Sequence, residues 1–379
     1  QYDRVKLNKS IMEQVWAAFG NNFYDKNMHN QDWEKLYQRF SAYSDNLITT
    51  GMLSSVVEEL IGEVNASHTG FYVRNDDYRA SKEIAYTGMI PDFSDRPAKG
   101  IRVAKVYRNS ALAEVWGIQS GDILTSIDGM EIDENTSLEK LLYFKTGEKI
   151  KMTFKRNKET LPVEIKGISG SEQNRMRYDN WVAERSQIVE KASKGQIGYL
   201  HIKSMDRESL ARFKEDLFAK NYYTKALIID VRGNGGGNIH DELIEILTKK
   251  QYAFTQSRYS DETPVAFPSN TYEKPIVLLI DEGSFSDAEI FPILFKHMKL
   301  GTIIGMPTSG SVIGTGSVSF MDGSSMRMPS NGWYTMDNTN MEGTGAKPDI
   351  LIPHTIDDII KDNDKQLARA IEELNKLIK

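Results

Sequence analysis

Apolar residues in the first 66 positions recur at the three- and four-residue spacing of amphipathic helices. Each of three segments carries such a stripe along one face, and each stripe needs an apolar surface to cover it. The pattern therefore predicts a small N-terminal helical bundle. The stripes consist of Ile11, Val15, Trp16 and Phe19, then Trp33, Leu36, Tyr37 and Phe40, and then Leu53, Val56, Val57, Leu60 and Ile61.

The pattern changes to strict alternation between about Tyr86 and Gly167, which is typical of short, half-buried strands. The predicted strands read "GIRVAKVY", "DILTSIDG", "KIKMTFKR" and "TLPVEIKG". Between the first two, "NSALAEVWGIQSGD" predicts a short helix ending near Gly117 and a tight turn at Gly121 and Asp122. We therefore expect a separate, mainly β domain over 86–170.

The segment "SALAEVWGIQSGDILTSIDGMEI" resembles a PDZ domain, with its small-residue helix, glycine-aspartate turn and hairpin. The resemblance implies a module that adds a peptide's C-terminal end to a sheet edge as an extra strand. "YTGMIPDF" is the nearest segment to the loop that would hold the carboxylate.

The last part of the chain alternates strands with helices. A helical stretch from about Asp179 to Lys194 leads into the strands "GQIGYLHI", "KALIIDV", "PIVLLI" and "TIIGMP". The helical patterns are "SLARFKEDLFAKN", "HDELIEILTK" and the tail "DKQLARAIEELNKLIK". This order predicts a layered α/β core with largely parallel strands over 171–379. The whole chain is thus expected to be an α+β multidomain protein, with the helical region over 1–85.

Composition narrows the possible classes. A chain of 379 residues is too long for one core. Its net charge of −6 argues against a general nucleic-acid partner, which would need a basic face. No apolar stretch reaches the roughly 18 residues of a membrane span. The opening "QYDRVKLNKS", without methionine, suggests a processed protein or a fragment, so the compartment cannot be read from it. There is no cysteine, and the six histidines lack zinc-site spacing, so we expect no metal site.

The glycine-rich loop "DVRGNGGGN" (Asp230–Asn238) separates a predicted strand from a helix. Its glycines allow the backbone to approach a ligand closely and to turn amides toward an anion. A nucleotide phosphate would fit this geometry, but the loop matches neither the P-loop nor the dinucleotide fingerprint. An oxyanion hole and a purely structural turn are the other interpretations.

The turn "DEGSFSDAEIFP" places Ser284 and Ser286 between a predicted strand and a predicted helix. Taken alone, either serine is more easily explained as an N-cap than as a nucleophile, and the segment lacks the G-x-S-x-G elbow. The glycine-rich loop and the "SHT" segment (Ser67–Thr69) change that balance, because a nucleophilic serine needs a base such as histidine.

Six motifs together resemble the C-terminal half of tricorn proteases, which are relatives of the C-terminal processing peptidases. The resemblance extends over nearly the whole chain and implies a crotonase/ClpP-like α/β peptidase core. It favours a cytoplasmic location, whereas a processed N-terminus would favour the periplasm or secretion. The motifs are "DWEKLYQRF", "ELIGEVNASHTGFY", "IDVRGNGGGN", "GSFSDAEIFP", "TSGSVIGTG" and "EGTGAKPDI".

The resemblance implies a catalytic tetrad. Ser286 would be the nucleophile, His68 the general base and Ser67 its supporting hydroxyl. Glu342 would complete the polar relay to His68. Metal ions and cofactors play no part in this chemistry, which follows the logic of the serine-protease triad.

The same resemblance implies an oxyanion hole and shows two departures from the wider family. The amide of Asp287 would be one donor, and Gly235, with Gly236 as the alternative, would supply the other. Ser311 stands where processing peptidases carry a lysine, which favours the histidine-based tetrad over a serine-lysine dyad. Ala288 stands where the tricorn type has glycine.

We therefore expect a serine endopeptidase acting on peptides or unfolded proteins, with assembly into a homo-oligomer left open. A non-catalytic PDZ scaffold that binds peptides is the alternative, and labelling by a serine-directed fluorophosphonate separates the two. An acyl-CoA enzyme with the same core is a third reading. The pairing of His68 with Ser286 speaks against it, because acyl-CoA chemistry of that type needs no serine nucleophile.

Overall fold

The computed structural model describes residues 3–73, 84–94, 97, 99–256, 258 and 264–378. The chain forms two compact units. One combines Gln1–Asn75 with Ile188–Lys379, and the other is Asp76–Gln187. The chain leaves the first unit, forms the second unit and then returns to the first. The first unit is therefore built from both the N-terminal and the C-terminal segments of the chain. None of the helices in the described ranges combines the length and apolarity needed to cross a bilayer.

The N-terminal helices predicted from the apolar stripes are confirmed. Each begins at a residue whose side chain accepts a backbone N–H of the first turn, as N-capping requires: Asp3, Asp32 and Thr49. Their apolar faces meet in one buried cluster that contains Val15, Phe19, Leu36 and other residues of the predicted stripes. The helices are α1 (Arg4–Asn22), α2 (Trp33–Ser41) and α3 (Thr50–Gly62), and the short strand β1 (Gly70–Tyr72) follows them.

The second unit is built on an antiparallel sheet with strand order β2-β3-β4-β6-β7, in which β5 also pairs with β4. The predicted glycine-aspartate turn lies before β4, where the buried Asp122 carboxylate accepts two hydrogen bonds of 2.7 Å from Arg156. Its elements are β2 (Met89–Asp92), β3 (Ile101–Val106), α4 (Ala111–Glu114), β4 (Ile123–Ile127), β5 (Met130–Glu131), α5 (Leu138–Leu142), β6 (Lys149–Arg156) and β7 (Glu159–Lys166). Helix α6 (Gly170–Ser193) begins earlier than the predicted start near Asp179.

The α/β core contains a fully parallel five-stranded sheet with strand order β16-β13-β12-β9-β8. Every residue of β9 and β12 is buried, as expected for parallel strands covered by helices. The core elements are β8 (Ile197–His201), α7 (Arg207–Glu215), β9 (Ala226–Asp230), α8 (His240–Thr248), β10 (Ala253–Thr255), β11 (Val265–Phe267), β12 (Ile276–Ile280), α9 (Asp287–His297), β13 (Gly301–Gly305), β14 (Ile313–Ser319), β15 (Ser325–Gly332), β16 (Ile350–Leu351), α10 (Ile356–Ile360) and α11 (Lys365–Leu377).

A three-stranded antiparallel sheet with strand order β1-β15-β14 joins the N-terminal helices to the core. Gly70 pairs with Arg327, and Phe71 pairs with Met326. Phe71, Met326 and Met328 belong to the same apolar cluster as the N-terminal helices. Sequence analysis does not predict this sheet, because glycine and serine interrupt the apolar alternation of β14. The sheet places the residues that immediately precede β1 beside the core.

Candidate active site

The carboxyl ends of β9 and β12 bring the glycine-rich loop and the serine turn together. These strands are neighbours and run parallel, so the loops that follow them emerge at the same edge of the sheet. The N–H of Phe285 donates to the Asn234 carbonyl at 2.9 Å, and Ser284 Oγ donates to the Val231 carbonyl at 2.9 Å. Direct backbone contacts therefore fix the two loops to each other.

The two serines of the turn have different environments. Ser284 is fully buried, and its hydroxyl also accepts the Asp281 N–H at 3.2 Å, which makes it a structural residue of the turn. Ser286 lies at a φ of +58° and a ψ of −117°, a conformation that serine rarely adopts. Its N–H donates to Glu289 Oε1 at 3.0 Å, and helix α9 begins at the next residue. Strained backbone of this kind is typical of functional turns.

His68 is held against the serine turn by its ring. The imidazole stacks on the Phe285 ring with centroids 4.6 Å apart and 24° between the planes. The side chain is 6% exposed, and within the described part of the chain its buried Nε2 makes no hydrogen bond, to Ser286 or to any other residue. Burial, together with the positive charge of Arg327, lowers the pKa of His68 from 6.5 to about 4. The ring is therefore neutral at physiological pH, with Nε2 free to accept a proton.

A hydrogen-bonded relay supports the other ring nitrogen. Ser67 Oγ lies 2.7 Å from His68 Nδ1, and the same hydroxyl lies 3.0 Å from Glu342 Oε2. The Glu342 carboxylate also accepts the N–H of Ser67 at 2.8 Å and that of Val312 at 2.7 Å. Since an ionised carboxylate only accepts, Ser67 must donate to Glu342, and its oxygen then accepts a hydrogen bond from the Nδ1–H group of His68. This assigns the tautomer that leaves Nε2 unprotonated.

The backbone amides expected to form an oxyanion hole differ in availability. Among the described residues, neither the N–H of Asp287 nor that of Gly235 has a hydrogen-bond acceptor. The N–H of Gly236, by contrast, donates to Asn234 Oδ1 at 2.9 Å. Gly236 instead allows the glycine-rich loop to approach the serine turn closely, because a Cβ built on it would lie 3.1 Å from the amide nitrogen of Asp287. The geometry therefore leaves Gly235 and Asp287 as the two free donors.

Sequence analysis missed Glu289 as a residue of the site. Its carboxylate is fully buried and accepts five hydrogen bonds, one of them from Ser286 N. The other four donors lie in the segment 308–311. The next residue is Val312, whose N–H donates to the Glu342 carboxylate. The four-residue spacing Ser286-x-x-Glu289 is the signature of a capping box and could have identified it. The other donors are Thr308 Oγ1 at 2.6 Å, Ser309 Oγ at 2.8 Å, Gly310 N at 2.6 Å and Ser311 N at 2.8 Å.

The candidate site offers no group of protein ligands for a metal. Within the described ranges, no cluster of three or more histidine, aspartate or glutamate side chains could hold an ion. The carboxylates of Glu289 and Glu342 are occupied by protein donors.

Three family models match segments of the chain. Residues 196–352 match Peptidase family S41, residues 70–166 match the PDZ domain, and residues 7–62 match the Tricorn protease C1 domain. The putative tricorn protease homolog 2 of Streptomyces coelicolor is 29% identical over 358 residues, or 86% of this chain and 29% of that protein. The putative tricorn-like protease C-terminal subunit of Sulfurisphaera tokodaii is 29% identical over 377 residues, or 96% of this chain and 43% of that protein.

Among solved structures, the crystal structure of the tricorn protease matches with a TM-score of 0.88 at 24% identity. The match covers 99% of this chain and 37% of that chain, and at this identity it establishes the fold. The chain thus spans less than half the length of each of these three tricorn-type proteins.

The fold and the matched domains define a serine-type peptidase domain of family S41 in a chain that also carries a PDZ domain. Within that class the chain is tricorn-like, since a match to the Tricorn protease C1 domain precedes the PDZ domain. In addition, 99% of this chain shares the fold of the tricorn protease. The resemblance identified from the six motifs is confirmed.

Proposed function

We propose that this chain hydrolyses peptide bonds through Ser286, His68, Ser67 and Glu342. The observation that carries the proposal is the unbroken relay from Glu342 through Ser67 to His68, whose ring stacks on the residue preceding Ser286. A neutral imidazole with a free, buried Nε2 beside a strained serine is the arrangement that general-base activation of a nucleophile requires.

In the proposed reaction, Ser286 Oγ attacks the carbonyl carbon of the scissile bond while its proton passes to His68 Nε2. The tetrahedral intermediate places its negative oxygen at the free N–H groups of Asp287 and Gly235. His68 then gives the proton to the leaving amine as the C–N bond breaks and an acyl-enzyme forms. Water, deprotonated by His68, hydrolyses the ester and restores the Ser286 hydroxyl.

Ser67 and Glu342 act on this reaction through His68. The imidazolium that forms after proton transfer donates from Nδ1 to Ser67 Oγ, and Ser67 passes the interaction on to the carboxylate. The negative charge of Glu342 thereby stabilises the positive ring. The contact with Val312 N keeps the carboxylate in place.

Oligopeptides and unfolded proteins are the proposed substrates. The scissile carbonyl must reach two backbone amides, and backbone carbonyls of a folded protein are already engaged in secondary structure. The names of the relatives, which describe tricorn proteases, support a peptidase of this kind.

The test is labelling with a fluorophosphonate followed by mass spectrometry of the digested protein. We expect a single modified serine, Ser286, and loss of the label in Ser286→Ala and His68→Ala. Ser269, which is exposed, provides the control, and Ser269→Ala should label like the wild type. Labelling of Ser284, or equal labelling of Ser286→Ala, would contradict the assignment, and failure of the wild type to label or to hydrolyse peptides would reject the proposed function.

A further inference from the structure

Asp287 serves two parts of the structure at once. Its N–H is one of the two free amides at the candidate site, whereas its carboxylate is buried and hydrogen-bonded within the protein. That carboxylate accepts the N–H of Ile239 at 2.7 Å and the N–H of His240 at 3.2 Å. It also accepts a short hydrogen bond from His240 Nδ1. A residue offering an amide to the reaction is therefore anchored through its side chain.

The anchor lies at the end of the glycine-rich loop. Helix α8 begins at His240, and its N-cap residue, Ile239, has no polar side chain with which to cap the helix. The carboxylate of Asp287 supplies the cap from helix α9 instead, since negative groups are stabilised at helix N-termini. The starts of α8 and α9 are thereby fixed to each other. Gly235, the other proposed oxyanion donor, lies four residues before Ile239, so both donors depend on this contact.

His240 also contacts the segment that leads to the relay. Its side chain is 6% exposed, and its ring meets the Trp333 ring in a T-shaped contact, with centroids 5.3 Å apart and 87° between the planes. The Trp333 carbonyl accepts the N–H of Met341 at 2.9 Å, and Met341 directly precedes Glu342. One buried histidine thus packs between the oxyanion residues and the segment that carries the relay carboxylate.

The charge of His240 bears on the reaction as well. An uncompensated Asp287 carboxylate close to the developing oxyanion would disfavour the intermediate by repulsion between like charges. Three N–H donors, including the imidazole, offset that negative charge. The charged groups that face His240 are Asp287 from α9 and Asp241 and Glu242 from its own helix. Burial alone would lower the pKa of His240, but the hydrogen bond and charge of Asp287, aided by Asp241 and Glu242, raise it.

We propose that His240 is a positioning residue for peptide hydrolysis: by holding and neutralising the Asp287 carboxylate, it keeps the amides of Asp287 and Gly235 in oxyanion-binding geometry. This inference rests on the proposed function of the site. It assigns His240 no contact with substrate, and its effect belongs to the step in which the oxyanion forms.

The variants His240→Leu and His240→Asn separate the hydrogen bond from the charge. His240→Leu removes both, and we expect kcat to fall between about tenfold and a hundredfold with little change in KM, because oxyanion donors that move act mainly on the transition state. His240→Asn keeps an N–H near the position of Nδ1 and should recover part of the loss. The control is His297→Asn, which changes an exposed histidine at the end of α9 and should leave kcat unchanged.

The pH dependence of kcat distinguishes this role from a purely structural one. A residue that only stabilises the fold would not change that pH dependence. In the wild type, kcat should fall at alkaline pH as His240 loses its proton through its raised pKa and the Asp287 charge is no longer neutralised. His240→Asn has no such proton, so its lower kcat should stay level over the same range. Superimposable profiles, or a kcat for His240→Leu within about twofold of the wild type, well below the cost of a lost donor, would overturn the proposal.

Two further outcomes are distinguishable. If the wild type labels at Ser286 and hydrolyses peptides while both His240 variants match it, this inference fails and the proposed function stands. If circular dichroism shows that both variants are unfolded, His240 belongs to the fold and the inference is overturned. If only His240→Leu unfolds, His240→Asn carries the test.

Discussion

Gly236 and Ser286 are so close that a Cβ atom built on the glycine would lie 2.7 Å from the Cβ of the serine. The same atom would lie 2.7 Å from the Phe285 carbonyl oxygen. Real Cβ atoms do not approach backbone this closely, and Gly236 also has a φ of +90°, which favours glycine. The position of the proposed nucleophile therefore depends on the absence of a side chain on the neighbouring loop.

Gly236→Ala should accordingly lower kcat by about a hundredfold or more, because the new methyl group must displace the Ser286 turn or the loop. Gly62→Ala is the control, because Gly62 is the last residue of α3 and is no part of the candidate site. A Cβ at that position meets nothing within 4 Å, and the residue has no positive φ. Steady-state kinetics and thermal unfolding of the two variants test the expectation, and similar losses in both would contradict it.

The pH profile should reflect the buried environment of His68. An imidazole with an ordinary pKa of 6.5 would give a rise in activity near neutrality. Because the pKa of the free enzyme's histidine is lowered to about 4, kcat/KM should rise with pH through about 4 and then stay level up to the alkaline range, where loss of the His240 proton should lower it. The folded state also binds fewer protons than the unfolded state between these values, so stability should decline as the pH falls from about 6.5 to about 4. A single rise centred near neutrality would contradict this prediction.

Arg327→Gln tests the charge of Arg327, which is the smaller of the two causes that lower the pKa of His68. Removing the positive charge should move the acid limb toward higher pH, while burial keeps it below the ordinary value. The measurement is again kcat/KM against pH. An acid limb that moves toward lower pH would contradict the expected effect of the Arg327 charge on His68.

The relay should behave as one unit. Ser67→Ala removes the link between the ring and the carboxylate, and Glu342→Gln places an amide N–H₂ group where only acceptors fit the surrounding donors. Each substitution should lower kcat by at least about tenfold. In the double variant the losses should not add, since the second change acts on a relay already broken. Additive losses would show that the two residues act independently.

Phe71 links the N-terminal helices to the site, since it is buried among them and pairs through β1 with β15. Phe71→Ala should cost about 3–5 kcal/mol of unfolding free energy. It should also reduce kcat, because His68 lies two residues before the start of this strand. Tyr72, on the opposite face of the strand and 56% exposed, is the control, and Tyr72→Ala should change stability by only about 0.5 kcal/mol. Denaturant unfolding and kinetics of both variants provide the check.

The sequence was informative wherever local pattern decides structure. The apolar stripes of residues 11–61 and the buried runs that became β9 and β12 predict their elements, because burial of a helix face or of a whole strand leaves a clear period. The hairpin of β14 and β15 left no such period. Its pairing with β1 depends on contacts between residues about 250 positions apart, as with Gly70 and Arg327, which local pattern cannot show.

For the candidate site, the resemblance supplied residues that spacing alone would have left as caps and turns. Ser284 and Ser286 look equivalent in local pattern, and only the resemblance singled out Ser286. In the structure, the buried hydrogen bonds of Ser284 to Val231 and Asp281 and the positive φ of Ser286 distinguish them. The interaction of Asp287 with His240 was not predicted, since a buried ion pair across two helices has no signature in either segment.

Because a ribosome makes a chain from its N-terminus, the pairing of β1 with β15 can form only late in the synthesis of this segment. His68 and β1 emerge before the strand that receives them, which is made only from residue 325 onward. At roughly 5–20 residues per second, synthesis of the intervening segment takes between about ten and fifty seconds. Glu342, which follows Ser67 by 275 positions, emerges later still. Until Glu342 has emerged, a nascent chain therefore holds its proposed base, nucleophile and carboxylate unassembled, and the proposed hydrolysis can begin only after that residue has been made.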